Sequence, residues 1–258
     1  LGDVYKRQML AGRIDRLVRN QDGASTTRPP TLAETGVFAD LETLEPQAGV
    51  VPYEINVPFW SAAALKHRWF TVPDTNRFMS FSSNEPWQFP TGSVWIKHFE
   101  IEVTNGIPES ARRLETRILV KTETHVEGFT YSWGSSETNA PLVPEDGFDE
   151  VMEINDAGVI RTQVWHYPSR DECLACHTPA SGGVLGFNTA QLNREKLFDG
   201  ETKNQILAYR DAGYFDTPVG GEYTWRALAA ATNEAYSSEY RVRSWLAVNC
   251  AQCHIPGN

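Results

Sequence analysis

Apolar and polar residues alternate along much of the segment between residues 50 and 167, which is the pattern of β-strands. The clearest case is 112–123, where one face of the strand would carry Arg113, Glu115, Arg117, Lys121 and Glu123. This pattern predicts a strand with one buried face and one charged outer face. Further strands are predicted at 67–72, 77–81, 93–103, 128–133, 148–154 and 159–167, with turn residues between them. His98 falls on the more polar face of its strand, and we expect it to be solvated.

The pattern changes after Ser169. Residues 202–212 and 238–248 have helical periodicity. In the second segment Val242, Trp245 and Leu246 form an apolar stripe that leads to Cys250. The sequence therefore predicts β-structure first and helical structure second.

Composition narrows the class of protein. Of 258 residues, 41% are hydrophobic and 22% are charged, which is typical of a folded globular chain. Lys and Arg total 23 against 33 Asp and Glu, a net charge of −10. This balance argues against nucleic-acid binding through a basic face. No apolar run is long enough for a transmembrane helix.

All four cysteines belong to two copies of one motif, Cys-x-x-Cys-His. The copies are Cys173, Cys176 and His177, and Cys250, Cys253 and His254. This motif is typical of c-type haem attachment. The thiols add to the two vinyl groups, one helical turn apart, and the histidine supplies the proximal iron ligand. The sequence therefore predicts two haem c groups.

Three other interpretations of the cysteines are weaker. A Cys₄ zinc site would combine both pairs, but Cys176 and Cys250 are much further apart than the roughly 15–20 residues typical of such sites. A thioredoxin-like redox pair needs a βαβ context. Disulfides within each pair would close very small loops.

The sequence does not identify the sixth ligand of the first iron. No Met or His lies between Thr178 and Cys253, so an ordinary downstream ligand is missing. The leading candidates for the distal ligand are His166 and Met152. The other upstream candidates are His67, Met79, His98, His125 or a lysine. The ligand could also be absent, or could lie beyond Asn258, as we expect for the second haem.

The sequence predicts a multidomain chain. Residues 1–8 resemble a translated sequencing adapter. We expect residues 9–48 to form the tail of an upstream domain and a linker, and residues 49–168 to form a β-rich domain. Residues 169–235 form a first haem-binding region, and 236–258 the start of a second, truncated cytochrome c domain. The expected fold class is an antiparallel β-sandwich or jelly-roll-like domain followed by a mainly α-helical cytochrome c-type region. We expect the chain to be a fragment without its signal peptide.

Several segments together resemble a bacterial family of predicted dihaem c-type cytochromes. They are LAETGVF (32–38), VPYEINVPFWS (51–61), WQFPTG (87–92), RRLETR (112–117), YSW (131–133), PSRDEC (168–173), LGFNTAQLN (185–193) and NCAQCH (249–254). In that family a β-rich domain precedes the haem motifs, sometimes behind a β-propeller like that of quinone-dependent sugar dehydrogenases. Residues 12–18 resemble the closing strand of such a propeller. This chain has Ala62 and Ala63 where the family pattern has Asp-Gly.

The expected function is single-electron transfer in the periplasm by covalently bound haem. The redox partners would be a dehydrogenase donor, fused or separate, and a cytochrome or oxidase acceptor. Whether the chain is itself an enzyme is open. One alternative is a peroxidase-like or oxidase-like haem enzyme with an open distal site. The other is a zinc-stapled carbohydrate-binding β-sandwich.

Overall fold

The computed structural model describes residues 28–198, 200–251 and 254, together with the backbone of strands β1 (Arg7–Gln8) and β2 (Ile14–Asp15). Most of the expected adapter segment, most of the expected propeller strand at 12–18, and Cys253 lie outside the described residues.

Five antiparallel strands form the central sheet, in the order in which they follow one another along the chain. They are β5 (Val51–Pro52), β6 (Leu65–Thr71), β7 (Val94–Glu102), β8 (Ala111–Lys121) and β9 (Val126–Ser132). The strands predicted at 67–72, 93–103, 112–123 and 128–133 are thus confirmed. The segment 77–81, also predicted as a strand, forms only isolated bridges through Met79 and Ser80.

Besides the pair β1–β2, the described residues form three further hairpins. They are β3 (Phe38–Asp40) with β4 (Glu45–Pro46), β10 (Phe148–Asp156) with β11 (Val159–Tyr167), and β12 (Glu195–Phe198) with β13 (Glu201–Asn204). Between β10 and β11 the turn consists of Ala157 and Gly158, both with positive φ. A two-residue turn of this kind matches the twist of paired strands, so the strands predicted at 148–154 and 159–167 form one long hairpin.

Both faces of the central sheet are covered. On one face Ile96 and Ile118 pack against the N-terminal segment, including Leu32. On the other face Phe70 packs in a core completed by residues 184–225, including Tyr209. This second core joins side chains from both sides of the boundary that the sequence suggested near residue 168. The C-terminal part of the chain is therefore held against the sheet that positions it.

Four short helices follow strand β11 in the part of the chain that the structure describes. They are α1 (Arg170–Cys176), α2 (Thr189–Leu192), α3 (Gln205–Asp211) and α4 (Ser238–Leu246), and α4 continues into a π-helical turn, Ala247–Ala251. The longest has 9 residues. None of the helices in the described part of the chain has the length and apolar character needed to cross a bilayer.

The predicted fold class is wrong, because no mainly α-helical cytochrome region follows the β-rich part in the described residues. The helical periodicity at 202–212 begins too early. Residues 201–204 pair in β13, and Asn204 caps α3 by accepting hydrogen bonds from the N–H groups of Ile206 and Leu207. The apolar residues of this region serve the core on the sheet, so its helices stay short and lie between a hairpin and irregular segments.

Candidate haem-attachment site

The first Cys-x-x-Cys-His motif is presented by helix α1, directly after strand β11. Ser169 and Glu172 form a capping box, in which each side chain accepts a hydrogen bond from the other residue's backbone N–H. This arrangement satisfies backbone donors that would otherwise have no partner at the helix start. Cys173 and Cys176 then lie one turn apart on the same side of the helix.

Helix α1 rests on strand β9 with almost no space between them. A Cβ placed at Gly128 would lie 2.7 Å from the Cβ of Cys173 and 2.8 Å from its Sγ. Real Cβ atoms do not approach side chains this closely. Glycine at position 128 therefore sets how deeply the motif sits against the sheet.

The imidazole of His177 has a defined orientation and tautomer. Its Nδ1 lies 2.7 Å from the carbonyl oxygen of Gly183, so Nδ1 carries the proton and donates it. Burial lowers the pKa of His177 to about 4, and the positive charge of the nearby Arg117 acts in the same direction. The ring is therefore neutral at pH 7, with the lone pair of Nε2 available to a metal.

The two thiols of the first motif are free and half-buried. Burial raises the pKa of Cys173, so this thiol stays protonated at neutral pH. A protonated, reduced thiol next to a partner one turn away is the starting state for two thioether bonds to one ligand.

All three motif residues line a cavity of about 220 Å³ between α1, the loop after it and the sheet. Trp95, Phe99 and Leu119 contribute apolar surface from the sheet, and Val184 and Leu185 from the loop. A mainly apolar cavity with a few polar groups is typical of cofactor sites.

A row of cations crosses the floor of this cavity. Arg68, Lys97 and Arg117 occupy paired positions on β6, β7 and β8, so their side chains point to the same face. Arg117 forms an ion pair with the fully buried Glu115. Nη2 of Arg68 and Nε of Arg117 are buried and have no hydrogen-bond partner among the described residues.

The position of this row shows that the charged face of 112–123 is not the outer face that the sequence predicted. The alternation is present, but the face carrying Glu115 and Arg117 does not face solvent; it faces the cavity under helix α1. The sequence signal for this was that each of three predicted strands carries at least one basic residue. Only the strand register shows that these residues are aligned.

His98 is also placed differently from the prediction. It is fully buried, and its ring nitrogens lie 2.8 Å from Thr116 Oγ1 and 3.1 Å from Glu100 Oε1. The prediction of a solvated side chain is wrong because the N-terminal segment covers this face of the sheet. With both nitrogens hydrogen-bonded, His98 has a structural role here.

The suggested distal ligands do not line the cavity. His166 bridges two carboxylates, with Nδ1 2.6 Å from Asp149 and Nε2 2.9 Å from Glu172. Met152 is buried in the core beneath hairpin β10–β11, beside Trp165. His67, Met79 and His125 are also absent from the cavity lining.

The second motif lies close to the first cavity. Cys250 is half-buried in the π-helical turn. The carbonyl oxygen of Cys250 accepts a hydrogen bond at 2.9 Å from the backbone N–H of His254, which is exposed. Val248, two residues before Cys250, lines the first cavity. The side chain of Asn249 accepts a hydrogen bond from the backbone of Trp60 at 2.6 Å.

The comparisons with family models, curated proteins and solved structures find no match. The site must therefore be interpreted from its own geometry. Within the described part of the chain, no group of three or more His, Cys, Asp or Glu side chains is arranged to hold a bare metal ion.

Proposed function

We propose that this chain binds haem covalently at Cys173 and Cys176, with His177 as the proximal iron ligand, and that it transfers single electrons. A second haem would be attached in the same way at Cys250, Cys253 and His254. A bound haem supplies an iron that accepts and releases one electron at a time.

One observation carries this proposal: the thiols of Cys173 and Cys176 share a cavity with the neutral imidazole of His177. Nδ1 of His177 is held by the carbonyl oxygen of Gly183 at 2.7 Å. Such a hydrogen bond from the far nitrogen of an imidazole fixes the ring and raises the basicity of the ligating nitrogen. The chain thus orients Nε2 before any iron is bound.

The two arginines of the cationic row fit the carboxylates of the same group. Haem carries carboxylates, and a guanidinium pairs with a carboxylate through two parallel hydrogen bonds. Arg68 and Arg117 each have a buried nitrogen without a hydrogen-bond partner among the described residues. A carboxylate at the floor of the cavity would give these nitrogens acceptors.

The cavity volume, about 220 Å³, is below the roughly 300–1,000 Å³ usual for ligand sites. The walls must therefore lie further apart around a macrocycle. Helix α1, with 7 residues, is the smaller of the two walls, so we expect it to move away from β9 rather than the sheet to deform.

The proposed location is the bacterial periplasm, because c-type haem is attached outside the cytoplasmic membrane. The proposed partners are a dehydrogenase that donates electrons, in the same chain or separate, and a cytochrome or oxidase that accepts them. The resemblance to predicted dihaem cytochromes supports the same assignment. The β-rich part would shield one side of the first haem.

The test is to export the chain in a bacterium that carries the haem-attachment machinery and to record a pyridine haemochrome spectrum. We expect two haems per chain that resist acid-acetone extraction. The double variant Cys173→Ser/Cys176→Ser should retain one haem, and so should Cys250→Ser/Cys253→Ser. A colourless wild-type protein, or one containing zinc in place of iron, would overturn the proposal.

A further inference from the structure

The cavity offers few atoms that could bind an iron from the side opposite His177. Among the described residues that line it, His177 is the only histidine and there is no methionine. Tyr53 is a poor ligand, because burial raises the pKa of its hydroxyl to about 12 and its ring packs against Phe70 and Phe187. The remaining side chain with a nitrogen that can bind iron is Lys97.

Lys97 lies on β7, the middle strand of the sheet, between Arg68 and Arg117. Its Nζ is 4.9 Å from the ring centre of Phe99 and 5.9 Å from that of Phe59. Within the described part of the chain, no hydrogen bond or close ion pair holds this amine. Its half-exposed surface opens into the cavity that the first motif also lines.

The neighbouring lysine provides the contrast. Lys66 lies on β6 on the same face of the sheet, but its Nζ donates to the carbonyl oxygens of Phe59 and Ala64 at 3.0 and 3.1 Å. Two of its three N–H donors are already used by the backbone. The two lysines thus share a face and differ in whether the amine has partners.

The surroundings of Lys97 favour its neutral form. Burial lowers the pKa of the Lys97 ammonium group, and the guanidinium groups of Arg68 and Arg117 on the adjacent strands act in the same direction. The carboxylate of Glu115 and the two aromatic rings near Nζ favour the ammonium form, but burial has a larger effect on the pKa than the neighbouring charges. The neutral amine has a lone pair for a metal. A guanidinium has no such lone pair at accessible pH, so Arg68 and Arg117 cannot take this role.

We propose that the amine of Lys97 is the sixth ligand of the iron held by His177. This inference rests on the proposed haem function and adds to it the identity of the distal ligand. It places one ligand of the iron directly after helix α1 and the other on the central sheet. Arg68 and Arg117, each with a buried nitrogen that has no hydrogen-bond partner among the described residues, then remain available to bind the carboxylates.

The test uses the full chain with both haems attached and compares Lys97→Ala, Lys97→Arg and the matched control Lys66→Ala. We expect the wild-type ferric protein to show a low-spin signal for the first haem in electron paramagnetic resonance, and its ferrous form not to bind carbon monoxide there. Both Lys97 variants should convert roughly half of the haem to a high-spin form that binds carbon monoxide. Lys66→Ala should behave as wild type.

Lys97→Arg separates ligation from charge, because it keeps the positive charge but cannot ligate. If Lys97 only attracts a carboxylate, Lys97→Arg keeps the wild-type signal, and the proposal is wrong. A wild-type first haem that is already high-spin and binds carbon monoxide also overturns it, and favours an open catalytic site. Absence of haem in every protein, including wild type, would instead overturn the proposed function.

Discussion

Gly128 provides a direct test of how helix α1 sits on the sheet. The substitution Gly128→Ala adds a Cβ that would lie 2.7 Å from the Cβ of Cys173, whereas ordinary contacts of this kind begin at 3.4 Å. Either α1 or strand β9 must therefore move by about 0.7 Å. Gly128 lies in the middle of β9, which is paired along its whole length with β8, so we expect α1 to move.

The effect of Gly128→Ala on the free energy of unfolding is the sum of two opposing contributions. Inserting a methyl group into a close-packed contact costs about 1–3 kcal/mol. Replacing glycine by alanine at a compatible position stabilises by about 0.4–1 kcal/mol, because the unfolded chain loses freedom. We expect a net loss of about 1–2 kcal/mol in the free energy of unfolding, and a lower haem content at the first motif.

The assay is urea unfolding followed by tryptophan fluorescence. With a slope of about 2 kcal/mol per molar urea, the midpoint should fall by about 0.5–1 M. Gly220→Ala is the matched control, because a Cβ there meets no atom within 4 Å and the backbone is not left-handed; its midpoint should be unchanged or higher. A midpoint for Gly128→Ala equal to that of Gly220→Ala would refute the contact between Cys173 and strand β9.

Three further predictions concern stability. Hydrogen bonds to carboxylates, above all Glu172, raise the pKa of His166, so its contribution to stability is present below the unfolded pKa of about 6.5 and is lost as pH rises through the folded pKa. His166→Gln should therefore lower the melting temperature more at about pH 5.5 than at about pH 9. An equal loss at both pH values would contradict this. Thr116→Val removes the hydroxyl that accepts from buried Trp133 Nε1 at 3.0 Å and should cost about 1–3 kcal/mol in urea unfolding, so an unchanged midpoint would argue against this bond. Phe70→Ala removes a fully buried side chain from the core between the sheet and the C-terminal segment. Calorimetry should show that the free energy of unfolding falls by about 3–5 kcal/mol, and a fall below about 1 kcal/mol would mean that the C-terminal segment does not pack on the sheet.

Local patterns along the chain predicted much of the β-structure. Strands β7 and β8 and the hairpin β10–β11 follow from alternation and turn residues, because a period of two and a tight turn depend only on neighbouring residues. The helical pattern at 202–212 was less reliable. It located α3 but included residues of β13, since side-chain periodicity does not show where a capping residue such as Asn204 starts the helix.

The spacing of Cys173, Cys176 and His177 along the chain is enough to bring these three side chains together, because they lie within about one helical turn of each other. What faces the motif depends on the packing of distant segments. Arg68 and Lys97 come from strands far apart from it in the chain, and only the register of antiparallel pairing aligns them across the sheet. Alternation separates the two faces of a strand, but it cannot tell a solvent-facing charged surface from one that lines a cavity, because burial depends on which distant segments pack above it.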